Sequence, residues 1–223
     1  MKRVPLVALL GLVACAAPLR TLPPPPAGAP PEDASALAAE AHAAVRASAL
    51  ETSPQGRSAQ IDKALDAGQR CEQVAPESPG CDYALALALG VQAREHPATA
   101  SKGLKLMVEL LQRASASDPK LDQAGPPRVL ALLRVRAPGW PLGPGDPEAG
   151  LKAAQDAVGL FPDHAPNQLA LSEALLVNGQ RAASKAAARR ALALAQAAAG
   201  TGEPDAGGWV REAETLLSGK PPR

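Results

Sequence analysis

Side chains that could act as nucleophiles, general bases or metal ligands are few in this 223-residue chain and lie far apart. The three histidines, His42, His96 and His164, are isolated from one another, whereas a zinc site needs three or four clustered ligands. Ser117 and Lys120 match an S-x-x-K pattern, in which a helix places the lysine one turn from a nucleophilic serine. The proline between them would break that helix, and no K-T-G follows. The sequence therefore predicts no enzyme, no cofactor and no metal site.

The first residues have the pattern of an export signal. Lys2 and Arg3 precede an apolar run at 4–14, which is shorter than the roughly 20 residues that span a bilayer. Residues 12–15, Leu-Val-Ala-Cys, resemble the lipobox of bacterial lipoproteins. That resemblance implies a signal peptide at 1–14 and a lipidated N-terminus at Cys15, on the periplasmic face of a bacterial membrane. A plain secretory signal with an unrelated cysteine is the alternative.

The segment after Cys15 predicts a tether. Ala16 stands where an aspartate would resemble an inner-membrane retention signal, so we expect the outer membrane. Prolines at 23–26, 30 and 31 predict an extended chain of roughly 3 Å per residue. We expect this tether at 15–31, a single helical repeat domain at 32–218 and a disordered tail at 219–223.

The two other cysteines, Cys71 and Cys81, are an even pair in an oxidising compartment. Cys71 falls near the end of one predicted helix and Cys81 near the start of the next. A short turn between antiparallel helices would bring them together, which predicts a disulfide. Two buried free thiols are the alternative.

The composition favours helices and argues against nucleic-acid binding. Aromatic residues are only 2% of the chain and the net charge is +1, whereas a nucleic-acid surface needs a basic face with stacking aromatics. Alanine and leucine dominate and β-branched residues are sparse, as is typical of helices. The predicted fold class is all-α, with helices at 32–51, 54–75, 80–96, 98–116, 128–136, 146–161, 165–178 and 180–199.

A spacing of four, three and five residues recurs along the chain, with small residues on one helix face followed by a proline. The copies are Ala64-Gly68-Cys71-Pro76, Met107-Leu111-Ala114-Pro119, Gly150-Ala154-Ala157-Pro162 and, without the proline, Ser184-Ala188-Ala191. This pattern resembles the second helix of a tetratricopeptide repeat. It implies stacked antiparallel helical hairpins, in degenerate repeats that form a right-handed α-solenoid. Chance matches in an alanine-rich chain are the alternative.

Residues 137–141, Ala-Pro-Gly-Trp-Pro, predict a rigid, non-helical elbow between two helices. Each proline fixes its own φ and disfavours a helical conformation in the residue before it. Trp140 is one of only four aromatic residues. We expect it to plug the junction between the two helices, because few other large side chains could fill the bend. Contact with a partner or ligand is the alternative.

The elbow lies within a longer stretch, from about 81 to 196, that looks like the T component (TatT) family of TRAP transporters. The matching segments are Gly125-Pro126-Pro127-Arg128, the elbow, Gly145-Asp146, Ala157-Val158, Pro162-Asp163, Asn167 and Ser172-Glu173-Ala174-Leu175-Leu176. TRAP transporters are tripartite, ATP-independent and periplasmic. The resemblance implies a lipid-anchored helical protein that associates with the transporter's solute-binding subunit. It also implies a homo-oligomer that encloses an apolar cleft or pore.

Four matching positions are candidates for partner or ligand contact: Arg128, Trp140, Asn167 and Glu173. Asp146 also matches, but with the following proline it predicts a helix N-cap. Two functions stay open. One is an accessory component of solute uptake, which binds a solute-binding protein or an apolar ligand. The other is a lipoprotein scaffold for envelope assembly.

Overall fold

The computed structural model describes residues 32–97 and 100–221, and all named elements in this part of the chain are helices. The predicted signal peptide, lipidation site and tether lie outside the described residues. The predicted all-α fold is confirmed. The helices are α1 (Ala34–Leu50), α2 (Pro54–Val74), α3 (Pro79–Glu95), α4 (Ser101–Ser117), α5 (Leu121–Arg136), α6 (Pro147–Leu160), α7 (Ala165–Val177), α8 (Arg181–Gly200) and α9 (Ala206–Leu217).

The helices pack as hairpins that are stacked side by side. α1 packs on α2, α3 on α4, α5 on α6 and α7 on α8, and α9 packs on α8 and α7. The first helices of successive hairpins also contact one another, from α1 to α3, α5, α7 and α9. This arrangement is the predicted solenoid of helical hairpins.

The repeated small residues lie on the second helix of each hairpin. All of them face inwards and are buried, including Gly68 and Cys71 in α2 and Ala188 and Ala191 in α8. A Cβ on Gly68 would lie only 3.0 Å from the Cα of Leu85 in α3. Small side chains at this spacing let neighbouring hairpins approach closely, so the repetition has a packing cause.

The predicted start signals also have a visible basis. The Asp146 side chain accepts a hydrogen bond from the Ala149 N–H at 3.0 Å, and the Ser53 hydroxyl accepts one from the Gly56 N–H at the same distance. A proline occupies the first helical position in both cases. Two features differ from the prediction. α5 extends back to Leu121, before the predicted start at 128, although its residues 122–124 do not have right-handed helical backbone, and α9 is a separate helix.

The loops lie on two opposite edges of the stack, because successive helices run in opposite directions. The tip edge carries the loops within hairpins, where Arg57 at the start of α2 pairs with Glu95 at the end of α3 (3.6 Å). The base edge carries the loops between hairpins and the start of α1, which follows Glu32.

None of the helices in the described ranges combines the length and the apolar character that a membrane span requires.

Candidate functional site

The elbow between α5 and α6 is a loop whose two ends are tied together by backbone hydrogen bonds. The Gly145 N–H donates to the Pro138 carbonyl and the Asp146 N–H to the Arg134 carbonyl, both at 2.8 Å. A Cβ on Gly145 would lie 2.2 Å from the carbonyl oxygen of Ala137, so only glycine fits there. Because its ends are fixed, the loop presents residues 139–142 at its outer end.

Trp140 lies on the outside of this loop. Its exposed fraction is 90%, and that of the nearby Leu142 is 74%. The prediction that Trp140 plugs the junction between α5 and α6 is therefore wrong. The alternative, contact with a partner or ligand, agrees with its exposure.

The junction has no room for an indole ring, which explains the error. A Cβ on the buried Gly150 of α6 would lie 2.7 Å from Cγ1 of Val135 and 3.1 Å from the Ala131 carbonyl oxygen in α5. Ala153 and Ala154 of α6 are buried in the same cluster as Ala131 of α5, and larger side chains such as Leu130 and Leu151 pack only against its edge. Glycine and alanine bring the two helices so close that no large side chain is needed between them.

Beside the elbow, Arg136 joins the end of α5 to α7 and α9. Its Nε and one terminal nitrogen donate to the two carboxylate oxygens of Glu173, at 2.9 and 2.6 Å. The Glu173 side chain is only 2% exposed, so this bidentate partner stabilises a buried charge. Glu212 of α9 lies 3.4 Å from the same guanidinium; burial raises the pKa of Glu212, and Arg136 opposes that rise. Glu173 thus anchors the helix that ends at the elbow.

Three consecutive residues near the start of α5 have left-handed backbone conformations. Asp122, Gln123 and Ala124 have φ values of 48°, 54° and 65°, which cost roughly 1–2 kcal/mol for each non-glycine residue. Arg128 donates to the Asp122 and Gln123 carbonyls at 3.3 and 3.2 Å, and to the Asp122 carboxylate at 2.9 Å. The Asn167 amide donates to the Gln123 carbonyl at 3.1 Å. Arg128 and Asn167 therefore hold the strained turn.

Asn167 also ties this turn to the end of α6. Its side chain is fully buried, and Nδ2 lies 3.2 and 3.1 Å from the carbonyl oxygens of Ala157 and Phe161. Its Oδ1 accepts a hydrogen bond from Arg128 at 3.1 Å, and the Arg128 side chain is only 12% exposed. The hydrogen-bonding groups of both candidate residues are thus used inside the protein.

Uncharged side chains complete the surroundings of the turn. The Tyr83 hydroxyl donates to the Asp122 carboxylate at 2.7 Å, and burial raises the pKa of Tyr83. A Cβ on Gly125 would lie 2.4 Å from that hydroxyl, so glycine is required at this position of the Gly-Pro-Pro-Arg segment. Burial lowers the pKa of His42, and burial followed by the charge of Arg128 lowers the pKa of His164 to about 4. Both histidines are therefore mainly neutral near pH 7.

A second polar cluster surrounds the disulfide on the base edge. Cys71 and Cys81 are joined with their Cα atoms 5.2 Å apart. The next residue in each case, Glu72 and Asp82, contacts Arg113 of α4. Burial, then the charge of Asp82, raises the pKa of Glu72 to about 7, and Arg113 opposes the rise. No group of three potential metal ligands occurs in the ranges that the structure describes.

Among the four candidate residues, only Trp140 is presented to solvent. The structure brings Arg128 and Asn167 together, while Glu173 lies apart from them with Arg136. Sequence reasoning missed Asp122 and Arg136 as the partners of these residues. The Arg136–Glu173 contact joins residues that are 37 apart in the chain. The Arg128–Asp122 contact depends on the left-handed backbone at Asp122. No local pattern signals either of them.

No family model and no curated protein matches the chain. Among solved structures, it is similar to the crystal structure of TTC0263, a thermophilic TPR protein of Thermus thermophilus. The TM-score is 0.51 at 20% sequence identity, and the match covers 80% of this chain and 90% of that one. At this identity the likeness shows the fold alone. The predicted tetratricopeptide-like fold of helical hairpins is thereby confirmed.

Proposed function

We propose that this chain is a lipid-anchored periplasmic scaffold that serves as the accessory component of a TRAP-type, ATP-independent solute transporter. The observation that carries this proposal is the exposure of Trp140, the aromatic residue of the elbow segment that resembles the TatT family. The helical-repeat fold supports the general role, because stacked hairpins offer long surfaces to protein partners. The elbow segment supports the particular partner, the periplasmic solute-binding subunit.

The elbow is well suited to be a binding element because its backbone is already fixed. Two hydrogen bonds tie its ends, and Arg136, directly before it, is held by the buried Glu173. A loop with a fixed backbone loses little backbone conformational entropy on binding. Tryptophan is also among the residues most enriched in the energetic centres of interfaces. Trp140 would therefore contribute strongly to affinity although it contributes little to folding.

The proposed anchor would leave the elbow accessible to a partner in the periplasm. The described chain begins at Glu32 on the base edge, whereas Trp140 lies on the tip edge. The length of the 14-residue α6, about 21 Å, separates the two edges. With Cys15 in the membrane, the tether at 15–31 would join the body on its base edge and would leave the tip edge free of the bilayer. Trp140 would then point towards the soluble subunit.

A pull-down of the full-length chain from membranes, with its anchor intact, tests this function. We expect the wild-type protein to retain a periplasmic solute-binding protein, and Trp140→Ala to lose it. Val74→Ala is the matched control, because Val74 is a partly exposed apolar residue (43%) on the base edge. Retention of envelope assembly factors without a solute-binding protein would instead support the alternative, a scaffold for envelope assembly.

The anchor is tested separately. Cys15→Ser should release the protein from membranes or leave its signal peptide uncleaved, because the lipobox cysteine is the lipid acceptor. Fractionation of cells and the size of the protein on a gel report both effects. A variant that fractionates and migrates like the wild type would refute the lipid anchor without bearing on the elbow.

A further inference from the structure

The tip edge is the apolar edge of the molecule. Large hydrophobic side chains that are exposed in the described ranges are Leu50 (84%), Trp140 (90%), Leu142 (74%), Val177 (42%) and Val74 (43%). All except Val74 lie in the elbow or at the last residue of a helix that ends on the tip edge. Of these, Trp140 and Leu142 lie two residues apart on the elbow and form an exposed apolar pair, which indicates a contact site there.

Cationic side chains flank the elbow on both sides of this edge. Arg94 and Lys102 lie at the tip of the α3–α4 hairpin, and Arg181 and Lys185 lie at the tip of the α7–α8 hairpin. All four are exposed, and none forms an ion pair within the part of the chain that the structure describes. The Trp140 loop therefore stands between two groups of unpaired positive charges.

The base edge has the opposite charge. Lys120 is the only lysine or arginine in its loops, at 32–33, 75–78, 118–120, 161–164 and 201–205. The acidic residues in the same loops are Glu32, Asp33, Glu77, Asp118, Asp163, Glu203 and Asp205. Glu32 pairs with Arg70 and Asp163 with Arg190, and the other five form no ion pair within the described residues. An acidic partner would be repelled by the base edge and attracted to the cations beside the elbow, so charge would select both the edge and the orientation of docking.

We infer that the tip edge docks onto an acidic protein face, in which Trp140 and Leu142 enter an apolar pocket and the flanking cations pair with carboxylates on either side of it. This inference rests on the proposed function and specifies the surface chemistry of the partner. It predicts that the solute-binding subunit carries such a pocket with an acidic rim.

A protein face fits this edge better than an anionic lipid surface does. Asp146 and Glu148 are exposed at the start of α6, in the same hairpin as the elbow. A bilayer responds to the summed charge near its surface, at about 1 kcal/mol per cation, so these carboxylates would offset much of the attraction. A protein face can instead place a carboxylate opposite each cation and a donor opposite each of the two acidic residues.

The test is the salt dependence of binding between the full-length, lipid-anchored chain in neutral nanodiscs and the purified solute-binding subunit. Lys102→Glu combined with Arg181→Glu reverses one charge on each side of the elbow. Both residues lie in the first turn of a helix, where a glutamate interacts favourably with the helix dipole, so the fold is not put at risk. Lys120→Glu on the base edge is the matched control.

We expect the double variant to bind at least about tenfold more weakly at about 50 mM salt, and this difference to shrink at about 300 mM because salt screens exposed charges. The Lys120→Glu variant should bind as tightly as the wild type, or more tightly. If the wild type binds the subunit and the double variant binds it equally well, the inference is overturned and the proposed function is not. No wild-type binding would overturn the proposed function as well.

A second readout distinguishes the lipid surface. Brominated anionic phospholipids quench tryptophan emission on contact, and the difference between wild type and Trp140→Ala isolates the emission of Trp140. We expect no such quenching when the full-length chain is placed in vesicles that contain these lipids. The inference would be overturned if the wild type is quenched, the double variant Lys102→Glu with Arg181→Glu is not, and both bind the subunit with the same affinity. That result would show that the cations bind a membrane.

Discussion

Asn167→Asp is a substitution of nearly identical shape that should destabilise the fold strongly. The Asn167 Nδ2 is within hydrogen-bond distance of three carbonyl oxygens, those of Gln123, Ala157 and Phe161, at 3.1–3.2 Å. A carboxylate has no hydrogen to donate, so it would leave these oxygens without that donor and place a negative charge against them. The change therefore removes the tie between the left-handed turn of α5, the end of α6 and the start of α7.

The size of the effect follows from the burial of the site. An amide carries two N–H donors, and each buried acceptor that loses its donor costs about 1–3 kcal/mol. A stronger bond from Arg128 to the new carboxylate would recover part of this loss. We therefore expect a loss of about 2–4 kcal/mol in the free energy of unfolding. For a domain of this size, that lowers the melting temperature by roughly 5–15 °C.

Thermal and denaturant unfolding of the two proteins, followed by circular dichroism, measures the effect. Asn178→Asp is the matched control: the Asn178 amide donates to the carbonyls of Pro147 and Ala174, both at 2.8 Å, but the residue is half-buried and water can replace it. The control should lose about 1 kcal/mol or less. Equal melting temperatures for wild type and Asn167→Asp would refute the internal role of Asn167, and a loss of partner binding alone would restore it as a contact residue.

Two further predictions concern the base-edge cluster. Because the pKa of Glu72 is raised to about 7, its stabilising contribution is present at low pH and is lost as the pH rises from about 4.5 to about 7, by roughly 2–3 kcal/mol. The free energy of unfolding of the wild type, relative to that of Glu72→Gln, should therefore fall across this pH range. His164 gives the opposite trend in both proteins, so the difference between the two curves removes it. A difference that does not change with pH would contradict the raised pKa of Glu72. Reduction of the Cys71–Cys81 disulfide, which closes a loop with a sequence separation of 10, should cost about 2–3 kcal/mol, and two alkylatable thiols in the freshly prepared, unreduced protein would rule the bridge out.

Helix positions and the repeated pattern were predictable because their signals are local. Ser53 and Asp146, each followed by a proline, mark helix starts within a few residues of sequence. The recurring spacing on α2, α4, α6 and α8, of mainly small residues, indicates which face of each helix packs against a neighbour. Both signals lie within single helices, so they can be recognised in the sequence without knowing how the hairpins pack.

The direction of Trp140 was not predictable, because it depends on how closely α5 and α6 approach. Scarcity of aromatic residues suggested that the indole must fill the bend. The structure shows that Gly150 and the neighbouring alanines leave nothing to fill. The same small residues that revealed the repeat therefore explain why the tryptophan lies outside.

The left-handed turn at residues 122–124 also lacked a local signal. Of its three residues, only Asp122 is of a type that adopts positive φ more readily than most; Gln123 and Ala124 are not. Arg128 and Asn167 stabilise this turn, and Asn167 is 44 residues from the Gln123 carbonyl that it contacts. Such conformations are set by tertiary contacts, so sequence reasoning assigned Arg128 and Asn167 to binding instead.

The most direct test of the central claim, that Trp140 binds a partner rather than packs in the core, is the affinity of full-length Trp140→Ala for the partner that we propose, a periplasmic solute-binding subunit. Because Trp140 is 90% exposed, the variant should unfold within about 1 kcal/mol of the wild type. We predict that it binds at least about 30-fold more weakly, which corresponds to the loss of an interface hot spot of about 2 kcal/mol. A dissociation constant within about twofold of the wild-type value, measured beside an unchanged Val74→Ala control, would contradict the claim.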